Sequence, residues 1–337
     1  MLELTTVADD EVVFHDGAEV RRYPGLDPDT EYELEGQLVR TLPRPPGPRL
    51  ATVATVNDVH FGETECGVIE GYELGPILGA ERGEPPYPET MSRAAAAEIA
   101  AVAPDAVVAK GDLTNQGLEH EYQAFLDVYA GAFGDRLHHV RGNHEAYAGQ
   151  DLATTAPFEV PLPGVRLAVI DTVVPGHDAG RVPPDQLAWL DELGARSDDQ
   201  PVLVFGHHHV WSPLSANRSD TYFGVNPDDS EALVDVVARR PALVGYFCGH
   251  THRNRVRRFP ATGDVPWAEV ACVKDFPGAW AEYRVFEGGI LQVVHRVSDP
   301  AALTWTERTR ALFGGLYPDY AFGQLEDRCF PIWPRSG

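Results

Sequence analysis

Short apolar runs alternate with amphipathic segments along the first half of the chain. Residues 50–56, 105–110 and 137–140 have the length and composition of buried strands. Between them, the alanine-rich residues 92–102 and the amphipathic residues 117–130 are typical of helices. Because strand, helix and strand recur at this spacing, the pattern predicts βαβ units and a largely parallel sheet.

The second half continues this alternation, and we expect it to have more antiparallel character. The pattern predicts strands at residues 165–170, 202–205 and 243–248 and helices at residues 184–193, 228–239 and 301–312. Three shorter strands are predicted at residues 267–272, 281–286 and 290–294. We expect these three to form a meander that completes a second sheet.

The two ends of the chain differ from this pattern. Residues 1–48 have the composition of a small β-rich N-terminal subdomain that ends in a proline-rich linker. The subdomain has strand candidates at residues 12–14, 19–23 and 32–39. Residues 49–300 then form the predicted main domain, and residues 301–337 are expected to be a C-terminal helix and a tail that pack on it.

A long insertion, residues 61–88, interrupts the first βαβ unit and is rich in glycine, glutamate and proline. It directly follows the first candidate site residues, so we expect it to form a rim over the site. Three of its acidic residues, Glu63, Glu65 and Glu70, have a carboxylate that can bind a metal. Solvated loop residues are the interpretation that the composition favours for these three.

Composition limits the function classes. Apolar residues make up 43% of 337, which is enough for a sizeable core, and the net charge is −24 with only two lysines. Such a surface repels phosphate backbones, so the chain is not expected to bind nucleic acid. It contains no run of 18 apolar residues, and residues 1–4 lack the basic and apolar pattern of a signal peptide. We therefore predict a cytoplasmic protein that does not bind membranes.

The four cysteines give no sign of a metal ribbon or of a disulfide framework. They are widely spaced and form no CxxC pair, at Cys66, Cys248, Cys272 and Cys329. Reduced thiols in a cytoplasmic protein are the interpretation that this spacing favours.

Polar residues that can bind metals follow five of the predicted strands. Residues 141–145 form the central example, where Gly142 is expected to allow a tight bend and precedes an amide, an imidazole and a carboxylate in one strand-end turn. The other strand ends carry similar side chains, and the pairs spaced by two residues project from the same face of an extended backbone. The eight candidates are Asp58, His60, Asp112, Asn143, His144, His207, His250 and His252.

Ligands at the carboxyl ends of parallel strands collect at one edge of a sheet, so these side chains are expected to share one pocket. Carboxylate, amide and imidazole groups together suit two borderline divalent ions such as Mn, Fe, Zn or Co. The set contains no thiolate, which disfavours a structural zinc site.

In these motifs, Asp58-x-His60, Gly111-Asp112, Gly142-Asn143-His144-Glu145, His207 and Gly249-His250-x-His252, the chain resembles the calcineurin-like metallophosphoesterases. It is most similar to their class III branch, the cyclic-nucleotide and glycerophosphodiester phosphodiesterases. The five blocks occur in family order, and residues 276–279 also resemble that branch. The resemblance implies a four-layer α/β/β/α sandwich with the metals at the strand ends.

The resemblance also implies a role for each residue. One ion would be bound by Asp58, His60, Asp112 and His252, and the other by Asp112, Asn143, His207 and His250, so that Asp112 bridges the two. His144 would be catalytic rather than a ligand and would stabilise charge and protonate the leaving oxygen. The family's His-His-Pro-Pro run reads His207-His208-His209-Val210 here, so His208 is the alternative ligand to His207, and a substrate contact of His209 is left open.

A function follows from the same resemblance. It implies a phosphodiesterase that hydrolyses small phosphoesters, such as cyclic nucleotides or glycerophosphodiesters, by attack of a metal-bridging hydroxide. The expected cofactors are two divalent or trivalent metal ions, Mn, Fe or Zn, and a homodimer is compatible with the sequence. A phosphomonoesterase and a non-hydrolytic metal-dependent scaffold are the two alternatives.

Overall fold

The computed structural model describes residues 2–69, 71–147, 149, 152–153, 157–197, 200–219 and 222–335. Its strands are β1 (Leu2–Val7), β2 (Glu11–Asp16), β3 (Glu19–Pro24), β4 (Glu31–Leu34), β5 (Gln37–Arg40), β6 (Arg49–Val56), β7 (Ala106–Lys110), β8 (Leu137–Val140), β9 (Phe158–Leu162), β10 (Val165–Val169), β11 (Val202–Phe205), β12 (Leu243–Cys248), β13 (Arg255–Arg257), β14 (Trp267–Glu269), β15 (Ala279–Phe286), β16 (Gly289–Arg296) and β17 (Cys329–Ile332). Its helices are α1 (Tyr87–Ala101), α2 (Glu119–Phe133), α3 (Pro184–Arg196), α4 (Pro227–Arg239), α5 (Pro300–Thr309), α6 (Tyr317–Ala321) and α7 (Leu325–Arg328).

Two six-stranded sheets form the centre of the molecule, and the predicted α/β sandwich is confirmed. One sheet has the order β17-β16-β15-β6-β7-β8, and the other has the order β13-β14-β12-β11-β10-β9. Helices α1 and α2 cover the outer face of the first sheet, and α3 and α4 cover that of the second. No helix in the described part of the chain is long and apolar enough to cross a bilayer.

Burial on both faces explains why the central strands have continuous apolar runs. Alternate residues of one strand enter different cores, since successive side chains point to opposite faces. In β7, Val108 packs between the two sheets, whereas Val107 packs under α1 and α2. In β11, Phe205 packs between the sheets and Val204 packs under α3 and α4.

The second half of the chain has more antiparallel pairing than the first half of the main domain, as predicted. Strands β6, β7 and β8 pair in parallel, whereas β9, β13, β15, β16 and β17 pair antiparallel with their neighbours. Strands β10, β11, β12 and β14 of the second sheet pair in parallel. The expected meander is wrong. Its first strand, β14, joins β12, while β15 and β16 join the first sheet beside β6. Apolar runs predict strands, but the partner of each strand is a long-range choice that short runs do not specify.

At the N-terminus, β1, β2 and β3 form an antiparallel sheet, and β4 and β5 form a hairpin. The strand predicted at residues 32–39 is in fact this hairpin, because Glu35 and Gly36 turn the chain with φ of 52° and 74°. Arg284 of β15 binds Asp9 and Asp10 at 2.7 and 2.6 Å, which attaches this region to the first sheet. The domain boundary at residue 48 stays a prediction.

The C-terminal tail contributes more than the packing that we expected. Its strand β17 pairs antiparallel with β16 and forms an edge of the first sheet. Helix α5 begins after Asp299, whose Oδ1 accepts hydrogen bonds from the backbone N–H groups of Ala301 and Ala302.

We predict that His15 makes the fold sensitive to acid. Its ring is fully buried, and burial together with the nearby Arg296 lowers its pKa from 6.5 to about 3. The unfolded chain binds this proton at higher pH than the folded chain, so stability is lost as the pH falls from 6.5 toward 3, by up to about 1.4 kcal/mol per pH unit. Urea unfolding between about pH 7 and pH 5 should therefore give a shallower loss in His15→Gln than in wild type.

The matched control is His120→Gln, because the His120 side chain is exposed on α2. Its pH slope should equal that of wild type. An unchanged slope in His15→Gln would contradict the prediction.

Candidate metal centre

The carboxyl ends of strands from both sheets meet at one point, and all eight predicted site residues lie there. They follow β6, β7 and β8 of the first sheet and β11 and β12 of the second. Overlapping groups have their ligand atoms within 4.8 Å of one another: Asp58, His60 and His252; His60, Asp112 and His144; Asp58, Asp112 and His207; and His207, His208 and His250. The remaining residue, Asn143, is within hydrogen-bond distance of His207.

Asp112 lies at the centre of this cluster. Its Oδ2 is 3.2 Å from His207 Nε2, 3.6 Å from His60 Nε2 and 3.8 Å from His144 Nε2. The carboxylate is almost completely buried. Burial disfavours its charge, but the imidazoles, His207 foremost, outweigh that cost and hold the pKa of Asp112 well below its usual value. An anionic Asp112 in contact with several donors has the position expected of a bridging ligand.

Asp58 is the second buried carboxylate. Its Oδ1 lies 3.3 Å from His252 Nε2, and the backbone N–H of His250 donates to both of its oxygens. Asn57 holds it from the other side, since the Asn57 amide donates to Asp58 Oδ2 at 2.6 Å and to the Val270 carbonyl at 3.0 Å. Sequence reasoning did not identify Asn57, although the residue directly precedes the Asp-x-His pair.

The ring of His207 is oriented for metal binding. Its Nδ1 donates to the Lys110 carbonyl at 2.8 Å, because that oxygen can only accept. Nε2 then faces Asp112 Oδ2 at 3.2 Å and Asn143 Oδ1 at 3.0 Å. A hydrogen bond from the far nitrogen to a carbonyl fixes the tautomer in the same way in known metal sites. Without an ion, Asp112 outweighs the effect of burial and raises the pKa of His207 to about 9.

His208 and His209 differ in their surroundings. His208 is buried, its Nδ1 is 2.8 Å from Thr172 Oγ1, and its Nε2 lies near His207 and His250 without a hydrogen-bond partner among the described residues. His208 thus stays an alternative ligand. His209 is buried and is not among the residues that line the cavity of the site.

Backbone strain is concentrated at this site. Five of the nine non-glycine residues with positive φ in the described chain are site residues: Asp58, His60, Asp112, His250 and His252. Each such residue costs about 1 kcal/mol or more, and such residues cluster at functional sites. The left-handed backbone turns each side chain from its strand toward the common centre.

Glycines next to these residues allow the loops to approach closely. A Cβ on Gly142 would lie 2.1 Å from Asp112 Oδ1, and one on Gly249 would lie 2.4 Å from Asp58 Oδ2. Gly142 has no positive φ, so space rather than the tight bend that we expected explains the glycine at this position. Gly111 is favoured for two reasons: its φ is 85°, and a Cβ at this position would lie 2.6 Å from His207 Nδ1.

Several buried nitrogen atoms indicate that the donor set fits metal ions. His60 Nδ1, His60 Nε2 and His250 Nε2 have no hydrogen-bond partner within the described residues. Burial lowers the pKa of both rings well below 6.5, so the rings are neutral and offer lone pairs. Neutral imidazoles beside two carboxylates and an amide oxygen are ligands that suit divalent ions of the Mn-to-Zn series.

Glu145 and His144 play different roles from one another. Glu145 is buried and accepts hydrogen bonds from Gly142 N and from the N–H and hydroxyl of Thr114, so it holds the turn. His144 Nδ1 donates to the carbonyl of Asn115 at 2.6 Å, which leaves Nε2 to face the cavity.

Glu63 and Glu65 of the insertion do not join the cluster. Glu63 binds Lys274 with both carboxylate oxygens at 2.6 Å, Glu65 is exposed, and Glu70 lies outside the described residues. Glu63 is therefore neither a ligand in this structure nor the solvated residue that we expected.

Two residues that the sequence did not single out position Asn143. Its Nδ2 donates to the Tyr147 hydroxyl at 2.7 Å, and that hydroxyl donates to Asp178 Oδ1. Because Tyr147 holds Nδ2 in this way, Asn143 Oδ1 faces His207. Only the spacing of four residues between Asn143 and Tyr147 could have suggested this contact, and the Asp178 contact is long-range.

A further group of residues that could bind a metal lies beside the site and comprises His252, Cys272 and Asp275. The carboxylate oxygens of Asp275 already accept hydrogen bonds from other side chains. Asp275 Oδ1 accepts from Cys272 Sγ at 2.8 Å and from the Tyr317 hydroxyl at 2.6 Å. Cys66 donates to its other oxygen at 3.4 Å. All four cysteines are buried and none forms a disulfide.

A cavity of about 570 Å³ opens onto the cluster. Its lining includes His60, Asp112, Asn143, His144 and His250, together with residues of the insertion and of the C-terminal tail. The volume lies within the range of small-molecule sites.

Comparison with known proteins agrees with this geometry. Residues 51–254 match the calcineurin-like phosphoesterase family. The chain is 32% identical over 169 residues to the glycerophosphodiester phosphodiesterase GpdQ of Enterobacter lignolyticus, which is 46% of this chain and 59% of that protein. It is 33% identical over 161 residues to a cAMP/cGMP dual specificity phosphodiesterase of Mycobacterium tuberculosis, which is 44% of this chain and 49% of that protein. The chain thus spans about half the length of these curated relatives.

A dimetal phosphatase from Danio rerio has a similar structure. It matches 75% of this chain and 98% of its own, with a TM-score of 0.57 and 18% sequence identity. This likeness shows the fold.

We predict that Asp112→Asn weakens metal binding at both positions. An amide cannot supply the charge that a carboxylate shared by two ions provides, so the affinity for Mn should fall at least about tenfold. Equilibrium dialysis of chelator-treated protein with elemental analysis measures this change. The control Glu65→Gln makes the same chemical change at an exposed residue of the insertion and should keep wild-type metal content. Equal binding by Asp112→Asn and wild type would rule out a bridging role.

Proposed function

The chain belongs to the calcineurin-like phosphoesterase family, and on this premise we propose that it hydrolyses small phosphodiesters at a centre that binds two metal ions. The observation that carries the proposal is the meeting of the five predicted imidazoles and an amide around the carboxylates of Asp58 and Asp112. Diesters are proposed because the relatives named above are phosphodiesterases and because of the charges in the cavity.

We assign one ion to Asp58, His60, Asp112 and His252 and the other to Asp112, Asn143, His207 and His250. When bound, such a pair supplies a nucleophile at neutral pH and stabilises charge on the phosphoryl oxygens. The buried carboxylates, the imidazole rings and the Asn143 amide oxygen would hold the ions. Mn, Fe and Zn all fit these ligands, and the choice among them is left to metal analysis.

His144 is the proposed catalytic residue of the chain itself. Its Nδ1 proton is held by Asn115, so a second proton can only be carried on Nε2, which faces the cavity and Asp112. From that position, a protonated ring can stabilise a phosphoryl oxygen and then donate its proton to the leaving oxygen. The ring orientation is therefore suited to general acid catalysis.

The charges in the cavity favour a diester over a monoester. Lys274 is the one lysine or arginine among the described lining residues, and Glu63 already binds it. A monoester dianion would bring one more negative charge than a diester, with no free cation to balance it beyond the metal centre. The alternative of a non-hydrolytic scaffold protein is disfavoured. The hydrogen bond from His144 Nδ1 to the Asn115 carbonyl holds the His144 ring in the cavity, and metal binding does not require this bond.

We expect a substrate panel to show this preference. With Mn added, kcat/KM for bis(p-nitrophenyl) phosphate should exceed that for p-nitrophenyl phosphate by about tenfold or more, because one uncompensated charge is avoided. The reverse order would favour the phosphomonoesterase alternative. No hydrolysis of any ester by protein with measured bound metal would favour the scaffold.

His144→Ala should separate metal binding from catalysis. Metal content should stay at the wild-type level, while kcat for a dialkyl phosphodiester, whose alkoxide leaving group needs a proton, falls about a hundredfold or more, the usual effect of losing a general acid. His120→Ala, which removes an exposed histidine of α2, is the matched control and should keep both values. A His144→Ala variant with wild-type kcat would exclude the proposed proton donor.

A further inference from the structure

We propose that the cavity selects phosphodiesters in which one alcohol carries a long apolar alkyl chain over diesters of glycerol and other small polar alcohols. The inference rests on the proposed function and concerns the part of the substrate that does not react. The apolar part of the cavity lining is the observation that supports this inference.

One part of the cavity lining is apolar. Val68, Ile69 and Leu74 line it from the insertion, and Leu312 and Leu316 line it from the C-terminal segment. All of these except Leu312 are exposed to solvent. Since the site carboxylates are buried and these side chains are exposed, the metal centre forms the floor and the apolar side chains form the mouth.

Phe223 extends this apolar surface to the metal centre. Its ring is stacked on the His250 ring, with centroids 4.1 Å apart, and it is itself half-exposed in the cavity. A phosphate held at the floor would therefore have an apolar surface beside it.

Close packing joins the two segments that form the mouth. A Cβ on Gly67 would lie 2.6 Å from Leu312 Cδ2, and one on Gly75 would lie 2.6 Å from Gly314 N. Arg308 adds a hydrogen bond to the Gly79 carbonyl at 2.8 Å. The apolar side chains thus belong to a packed wall of defined shape.

An ion pair fixes this wall to the site. Lys274 lines the cavity and binds both oxygens of Glu63 at 2.6 Å, and it lies 3.9 Å from Asp275. Burial disfavours its charge, but Glu63 outweighs this and raises its pKa. The cation is therefore already neutralised and offers no charge to a second phosphate, such as that of a nucleotide.

The occupant follows from these surfaces. A glycerol arm needs hydrogen-bond partners that the exposed valine, isoleucine and leucine side chains do not supply. An alkyl arm gains from each methylene that leaves water, by a factor of about three to four in binding. Because the same cavity includes the reacting centre, an arm on this wall keeps the phosphate near His144.

A chain-length series tests the proposal. The substrates are p-nitrophenyl alkyl phosphodiesters from methyl to octyl and p-nitrophenyl glyceryl phosphodiester, all below their critical micelle concentrations, so that single dissolved molecules are compared. With Mn bound, kcat/KM should rise by about tenfold or more from methyl to butyl, and the glyceryl ester should resemble the methyl ester. Calorimetric binding of octylphosphonate should likewise be tighter than that of methylphosphonate, without turnover.

Leu316→Ser gives the residue-level test. The side chain is 69% exposed, so the fold should tolerate the change, and the octyl ester should lose about threefold or more in kcat/KM while the methyl ester loses nothing. Leu38→Ser is the matched control, since Leu38 is 73% exposed on the β4–β5 hairpin and does not line the cavity. It should leave both esters unchanged.

The negative results of these experiments distinguish the apolar-arm proposal from the phosphodiesterase proposal. Equal kcat/KM for methyl, octyl and glyceryl esters would overturn the apolar-arm proposal while the phosphodiesterase proposal stands. A cyclic nucleotide that is hydrolysed better than every alkyl ester would also overturn it. Failure to hydrolyse any diester would remove the proposed function and this inference with it.

Discussion

Two carboxylates are buried where both sheets end, and the surrounding structure is arranged to carry their charge. A charge in that position is costly unless it is paired and hydrogen-bonded. Asp58 receives backbone and amide N–H groups, and Asp112 is surrounded by imidazoles. Two metal ions would complete this compensation, so the same charges that cost stability create the affinity of the site.

The architecture explains how residues almost 200 positions apart reach one centre. Parallel strands in two facing sheets end on the same side, and buried polar contacts then join the sheets at that edge. Lys110 of β7 donates to the Cys248 carbonyl of β12 at 2.9 Å, and burial lowers its pKa to about 8. Arg141, after β8, binds Asp171, after β10, at 2.8 Å. These contacts fix the relative position of the two ligand groups.

Much of the site could be predicted because its determinants are local. The spacing of Asp58 and His60, and of His250 and His252, together with glycines before several of these residues, is visible in the sequence. The sequence did not predict which strands pair, because the pairing of β14 with β12, for example, depends on residues far apart in the chain. The same limit applies to Lys274 and Phe223, whose importance comes only from what they contact. Gly142 was predicted for the wrong reason, because crowding by Asp112 is a property of the folded loops.

The wall around the cavity is built from segments that lie outside both sheets. The described residues of the segments 61–79 and 312–320 contact each other and the site, yet they contribute no strand to either sheet. Insertions and exchanges are best tolerated in such surface segments. The lining of the cavity can therefore diverge by replacement of these two segments while the strand-end residues stay unchanged, which makes the pair of segments a natural target for directed evolution.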